Sequence, residues 1–250
     1  MRKVLLIIAI ALSATSFGQL NIQDSATQGI LVNINVGYFL KGGDFAEVFN
    51  PNFSGGLDLQ YKTRSNWIFS IGARYHFADG LKDPTAIFGG LVTRQGEILG
   101  LNGEYAPVTF RERGWDMGFD VGKIFTSLGH NANSGPLFTL GVGYNNYYID
   151  IRNQLNNTPQ IQGEYLKGYD RFSQGLMTKQ FLGYFFSGSR KRLNFTAGFE
   201  FMQGFNTSLR EFNYDTRSYE TERKLDLYYG IRISWFLPFY DENAQKYYYY

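Results

Sequence analysis

"NWIFSIGARYHF", residues 66–77, is the stretch that decides the fold. Trp67, Phe69, Ile71, Ala73, Tyr75 and Phe77 share one parity, and Ser70, Gly72, Arg74 and His76 share the other. A period of two is the signature of a strand. In a water-soluble sheet the aromatic face would pack on a core and Arg74 and His76 would meet solvent. In a barrel standing in lipid the same alternation is turned inside out.

The pattern recurs along the chain. Residues 30–40 set Val32, Ile34, Val36, Tyr38 and Leu40 against Asn33, Asn35 and Gly37, and residues 56–62 set Leu57, Leu59 and Tyr61 against Asp58 and Gln60. Residues 114–125 oppose Trp115, Met117, Phe119 and Val121 to Asp116, Gly118, Asp120 and Gly122. Residues 136–150 oppose Phe138, Leu140, Val142 and Tyr144 to Thr139, Gly141, Gly143 and Asn145. Residues 172–186 alternate poorly, which points to a parity change at a bulge near Phe181. Residues 192–205 set Leu193, Phe195, Ala197, Phe199 and Phe201 against Asn194, Thr196, Gly198 and Glu200. Residues 224–239 oppose Leu225, Leu227, Tyr229, Ile231, Ile233 and Trp235 to Asp226, Gly230, Arg232 and Ser234. With the opening stretch these make eight strands, an even number.

The connections after the second, fourth and sixth strands are short, and those after the first, third, fifth and seventh are long and polar. Outer-membrane barrels share this asymmetry, with tight periplasmic turns and longer external loops. The longest loop, from about Ala78 to Arg113, contains the turn signal Asn102-Gly103. It predicts that strands three and four run on as a ribbon beyond the membrane.

Composition narrows the class. In 250 residues there are 29 glycines, 19 tyrosines and 23 phenylalanines, no cysteine, and a formal charge of +2. So small a charge gives no nucleic-acid surface. Without cysteine there is no disulfide framework, no lipid-anchoring thiol and no thiolate metal site. Arg2 and Lys3 precede an apolar run from Val4 to Leu12, and the small residues Ser16 and Gly18 follow. This reads as a signal peptide over residues 1–18. The run is shorter than the roughly 20 residues of a membrane-spanning anchor. Residues 19–29 are expected to be a short periplasmic segment, 30–239 the barrel, and 240–250 a periplasmic tyrosine-rich tail.

Glycine and charge fall on one parity while bulky aromatics fall on the other, and crowding favours putting the small face inside. The expected fold is therefore all-β, an eight-stranded antiparallel transmembrane up-and-down barrel whose aromatic face meets lipid. A closed barrel satisfies every backbone N–H and C=O in hydrocarbon. Eight strands leave an interior just wide enough for side chains to fill. Asp58, Asp116, Asp120 and Glu200 can pair there with Arg74 and Arg232, plugging the lumen as a charge network. A lipocalin-type soluble barrel, with its apolar face inward, is the rival architecture.

The alternating architecture, the "FGQ" at residues 17–19 and the "GIRISW" at 230–235 resemble the small outer-membrane barrels with OmpA- or OmpX-like transmembrane domains, of the Bacteroidota type. The resemblance implies the outer membrane of a Gram-negative bacterium. It also implies that Gly230, Ile233 and Trp235 form the terminal-strand signal read by the barrel-assembly machinery. In most such barrels that strand ends the protein, whereas here "DENAQKYYYY" continues.

No GxSxG, HExxH, phosphate-loop or EF-hand spacing is present. The two histidines fall apart, His76 on the inward parity and His130 in a short turn. His76 reads as a lumenal hydrogen-bonding residue rather than a catalytic base. No catalytic, cofactor-binding or metal-binding residue is assigned. "GGDF" and "NNTPQ" read as ordinary turns. Residues 211–224 mix both charges with Phe212, Tyr214 and Tyr219, a composition shared by protein contacts and solvated loops. Tyr247, Tyr248, Tyr249 and Tyr250 read as a docking element for a periplasmic partner, with an aromatic anchor at the membrane interface as the alternative. The leading expectation is a non-enzymatic barrel serving as an accessory or scaffold subunit of an envelope assembly or secretion complex, in contact with outer-membrane lipid and a protein partner. A standalone structural or small-solute barrel is second, and an outer-membrane enzyme third.

Overall fold

The computed structural model describes residues 25–240, apart from 96, 156, 189–192, 211, 215, 220 and 221. The expected signal peptide at 1–18 and the tail from 241, including Tyr247 to Tyr250, lie outside the described residues. Among the described residues there are twelve strands: β1 (Gly29–Gly43), β2 (Asn52–Lys62), β3 (Trp67–Asp79), β4 (Ile98–Leu99), β5 (Tyr105–Ala106), β6 (Val108–Ile124), β7 (Gly135–Asn153), β8 (Ser173–Ser187), β9 (Asn194–Ser208), β10 (Phe212–Asn213), β11 (Ser218–Tyr219) and β12 (Arg223–Tyr240). Eight close a barrel in the order β1-β12-β9-β8-β7-β6-β3-β2, all neighbours antiparallel. Gly29 pairs with Tyr240, so the last strand closes on the first at the short-turn end.

The parity choice is settled by burial. Ile34, Leu57, Ile71, Leu140, Phe199 and Ile231 are all half or more exposed on the outer wall, whereas Asn33, Asn35, Arg74, Asp116 and Glu200 are buried inside. Exposed apolar residues recur on all eight barrel strands, far more than a water-soluble monomer presents. Aromatic side chains flank this belt: Tyr61, Trp67 and Trp235 towards the short-turn end, Tyr75 and Trp115 towards the long loops. An apolar wall between aromatic rims around a polar interior is the build of a membrane-spanning barrel. Among the described residues no helix is long and apolar enough to cross a membrane.

Two expectations are corrected. Strand β8 has no bulge: its pairing with β9 runs unbroken from Ser173 to Ser187, and Lys179 and Phe181 both point inward. Phe181 fits because glycines leave it room; a Cβ on Gly183 or Gly198 would come within 2.6 or 2.8 Å of its ring. The weak alternation comes instead from Thr178 and Gln180 on the outer parity. In the longest loop, Asn102-Gly103 does turn a hairpin, with Gly103 at φ 82°. That hairpin is the separate β4–β5 pair, and the ribbon that carries the barrel wall furthest is β6–β7, up to the Val108–Asn153 pair.

The interior is layered. At the short-turn end Leu31, Ile68, Phe181, Phe185 and Phe236 form an apolar floor, with the rings of Phe185 and Phe236 stacked 4.5 Å apart. At the long-loop end Phe45, on the short helix Phe45–Val48, drops onto Tyr147 and Tyr228 at 4.4 and 5.0 Å between ring centres. Phe39, Phe49 and Phe88 belong to the same apolar roof. The charged layer lies between.

Candidate functional site

The inward residues of β2, β3, β6, β8, β9 and β12 meet in the middle layer. Arg74 on β3 lies 3.2 Å from the Asp116 carboxylate on the adjacent β6 and donates to Glu200 on the far wall at 2.5 Å. Arg232 lies 3.5 Å from Glu200 and 3.9 Å from Asp58, and its guanidinium sits 4.4 Å over the Phe181 ring. Asp120 is held by Lys179 at 3.0 Å. Asp58 also accepts from Asn35 at 2.9 Å. The six residues named from the sequence thus occupy one layer, and Lys179 adds a third cation to its four carboxylates. The parity change expected at Phe181, which β8 does not make, hides Lys179 from a sequence reading, because a shifted register would turn it outward.

A second ion pair closes the layer beneath the roof. Lys41 meets Glu112 at 2.9 Å, both side chains almost wholly buried, and its ammonium lies 4.0 Å from the centre of Phe45. Glu112 also accepts from Asn52 at 2.6 Å. The alternation over residues 30–40 stops one residue short of Lys41.

His76 is buried, with Nε2 2.5 Å from Asp116 Oδ2. Its cross-strand neighbour is Ser54, whose Oγ makes no hydrogen bond, and His76 Nδ1 makes none either. The three residue types of a hydrolytic triad are therefore near one another, but serine and histidine are not joined, and all three are buried between roof and ion pairs. A nucleophile needs a bonded base and a path for substrate; this arrangement supplies neither. His130 lies apart in the β6–β7 turn, 3.3 Å from the Tyr184 hydroxyl.

At the short-turn end the chain entering β1 is strapped over the floor. Asn133 Oδ1 accepts from Thr27 N at 2.8 Å and from Lys62 Nζ at 2.9 Å, while Asn133 Nδ2 donates to Ser25 O at 2.8 Å. Lys62 also donates to Thr27 O at 2.8 Å. The sequence held no signal for this strap, since neither Lys62 nor Asn133 belongs to a local motif.

The long-loop end is knitted from several segments. Arg210, after β9, forks onto Asp170, before β8, at 2.5 Å for the shortest contact. Leu101 N donates to Asn157 O at 2.9 Å, and Asn157 Nδ2 donates to Glu104. Asp83 caps the short helix Pro84–Phe88 by accepting from Thr85 N at 2.9 Å, and the Thr85 donors hold its carboxyl below the usual range. A cleft of about 540 Å³ opens between these loops, with Asp44, Glu47, Arg223 and Lys224 at its rim and Phe49 and Ile87 in its floor. Phe212 and Tyr219 pair in the β10–β11 hairpin with rings 5.3 Å apart, and Tyr219 is 72% exposed.

On β12, Ile233 and Trp235 face outward and Gly230 faces inward. A Cβ at Gly230 would meet the Tyr38 carbonyl and lie 2.7 Å from the Phe39 ring. Among the described residues no three His, Asp or Glu side chains are grouped to hold a metal ion.

No protein-family model and no curated protein matches the sequence. Similar solved structures include Neisserial surface protein A, at 11% identity over 82% of this chain and 96% of that one, with a TM-score of 0.43. Ail, the attachment invasion locus protein of Yersinia pestis, matches at 7% identity over 84% and 99%, with a TM-score of 0.44. A major outer membrane protein from Thermus thermophilus matches at 13% identity over 83% and 99%, with a TM-score of 0.49. Identities this low carry nothing about activity or partners.

Proposed function

We propose that this chain is an integral outer-membrane barrel of a Gram-negative bacterium that works by contact rather than by transport or catalysis, as a scaffold or accessory subunit of an envelope assembly. The observation that carries the reading is the lumen: an apolar floor, a layer of paired charges and an apolar roof stand in series, so the interior is a core and not a path. A wide pore selects ions with rings of unpaired charge; here Arg74, Arg232 and Lys179 are each engaged by a carboxylate. What remains for function is the surface. The long-loop end would face outward, following the loop asymmetry of such barrels. It offers a cleft with both charge signs on its rim. The tyrosine tail would offer a periplasmic contact.

Extraction in mild detergent at native expression, with a tag in the β10–β11 hairpin, tests the reading. A stoichiometric protein partner that is lost when Tyr247 to Tyr250 are replaced by serine supports the subunit role. A barrel recovered without any partner sinks it and moves the weight to a standalone structural protein.

A further inference from the structure

The carboxylates inside the barrel meet cations, with one exception. Glu112 has Lys41 at 2.9 Å, Asp116 and Glu200 share Arg74, Asp120 has Lys179 at 3.0 Å, and Asp58 lies 3.9 Å from Arg232. Asp226 on β12 is wholly buried, yet among the described residues no ion pair reaches it. Its hydrogen-bond donors are neutral and crowd one oxygen: Oδ2 accepts from the Tyr147 hydroxyl at 2.7 Å and from Asn206 Nδ2 at 2.6 Å. Oδ1 accepts none. A buried carboxylate without a counter-charge is strongly unfavourable, so this corner of the lumen calls for a cation.

The surroundings are oxygen-rich and hollowed by glycine. Asn145 on β7 and Asn206 on β9 are the two cross-strand partners of Gly175 on β8, and Asp226 is the partner of Gly204 on β9. Asn145 and Asn206 are buried, and neither Oδ1 accepts a hydrogen bond. Asn206 spends an N–H on Asp226, which leaves its Oδ1 over Gly175, 2.7 Å from where a Cβ would stand there. A Cβ on Gly204 would lie 2.7 Å from Asn206 Nδ2 and 3.4 Å from Asn145 Oδ1. Any larger residue at either position would fill the space that the two amides border.

The charge there fixes the valence. Lys224 and Asp44 act on Asp226 from a distance with opposite signs, and Lys41 is matched by Glu112. One negative charge is left. Hard cations take oxygen ligands, carboxylate and Asn carbonyl among them, and a single charge in a buried site is neutralised by a monovalent ion. We propose that Asp226 Oδ1, Asn206 Oδ1 and Asn145 Oδ1 hold one alkali metal ion in the outer mouth of the lumen. The ion ties β7, β9 and β12 together under the loops. It uses one carboxylate and two amides, so no cluster of acids is needed. Tyr147 and Lys224 also line the cleft of about 540 Å³ between the loops, so one tyrosine separates Asp226 from the external medium.

The purified full-length barrel, folded in detergent micelles, is unfolded with urea in sodium, potassium or N-methylglucamine chloride at one ionic strength. The organic cation is too large for the space between the amides. The expected result is a higher unfolding midpoint in sodium or potassium than in N-methylglucamine, with broadening of the sodium NMR line by the folded protein. Asp226→Asn keeps the shape and removes the charge, and should abolish both effects. Asn145→Ala, which leaves the carboxylate in place and serves if Asp226→Asn does not fold, should weaken sodium binding about ten-fold. Equal midpoints in the three chlorides, a sodium response that survives in Asp226→Asn or is unchanged in Asn145→Ala, or a midpoint raised by calcium and not by sodium overturns the proposal. So does an infrared band of a protonated carboxyl that disappears in Asp226→Asn, because a neutral Asp226 needs no counter-ion.

Discussion

Arg74 on β3 and Glu200 on β9 stand on opposite walls of the barrel and meet at 2.5 Å, so one charge-assisted hydrogen bond spans the lumen. Arg74 also lies against Asp116 at 3.2 Å, and all three side chains are almost wholly buried. Breaking a buried pair by removing one partner is far more harmful than replacing both. Arg74→Met should therefore destabilise the barrel by about 3 kcal/mol or more in urea titrations from lipid vesicles. Arg74→Met combined with Glu200→Met should recover part of that loss. A single variant as stable as the parent would show that the pair contributes nothing.

The floor and roof are separate barriers. Purified protein in planar bilayers should show no discrete conductance steps. Phe185→Ala with Phe236→Ala, which empties the floor stack, should stay silent as well, because the charged layer and the Phe45–Tyr147–Tyr228 roof remain. Steps in the parent protein would contradict a sealed lumen.

Gly230 has a packing role on β12 that can be tested apart from its proposed part in the assembly signal. Its inward face leaves no room for a methyl group beside the Phe39 ring and the Tyr38 carbonyl. Gly230→Ala should lower stability even when the chain is refolded from urea into lipid without any assembly machinery. A role in recognition alone leaves that refolding unchanged and alters only assembly in cells.

The strap at the short-turn end rests on one amide. Asn133→Leu removes the acceptor of Thr27 N and Lys62 Nζ and the donor to Ser25 O. Lys62 would then keep only Thr27 O, and losing hydrogen bonds to a charged group costs about 1.5–3 kcal/mol each. Hydrogen exchange at Thr27 should speed up with little change at Ile34 in the wall; equal protection in both proteins would show that the strap is held by something else.

Much of this was legible in residues 66–77. Alternation fixes which side chains share a face, and the coincidence of glycine with charge fixes which face is inside, so eight strands and the wall's polarity follow. Alternation says nothing about what meets across a lumen. Lys179 and Asp120 come from β8 and β6, and Lys41 and Glu112 from β1 and β6, so no sequence spacing joins them. Nor does it report depth: Phe39, Phe181 and Phe185 share the inward parity with the charges, yet build roof and floor. The one misread strand, β8, was blurred by Thr178 and Gln180 on its lipid face. That irregularity is a feature of the surface rather than a break in the ladder.

The central claim is that the aromatic parity lies in lipid, and the chain carries its own reporters. Its three tryptophans, Trp67, Trp115 and Trp235, all face outward, at 44%, 37% and 44% exposure. Reconstituted into vesicles whose acyl chains carry bromine, the protein should lose most of its intrinsic fluorescence, while aqueous iodide quenches little. Free quenching by iodide with no effect of brominated lipid would mean that the wall meets water, and the membrane barrel would be wrong.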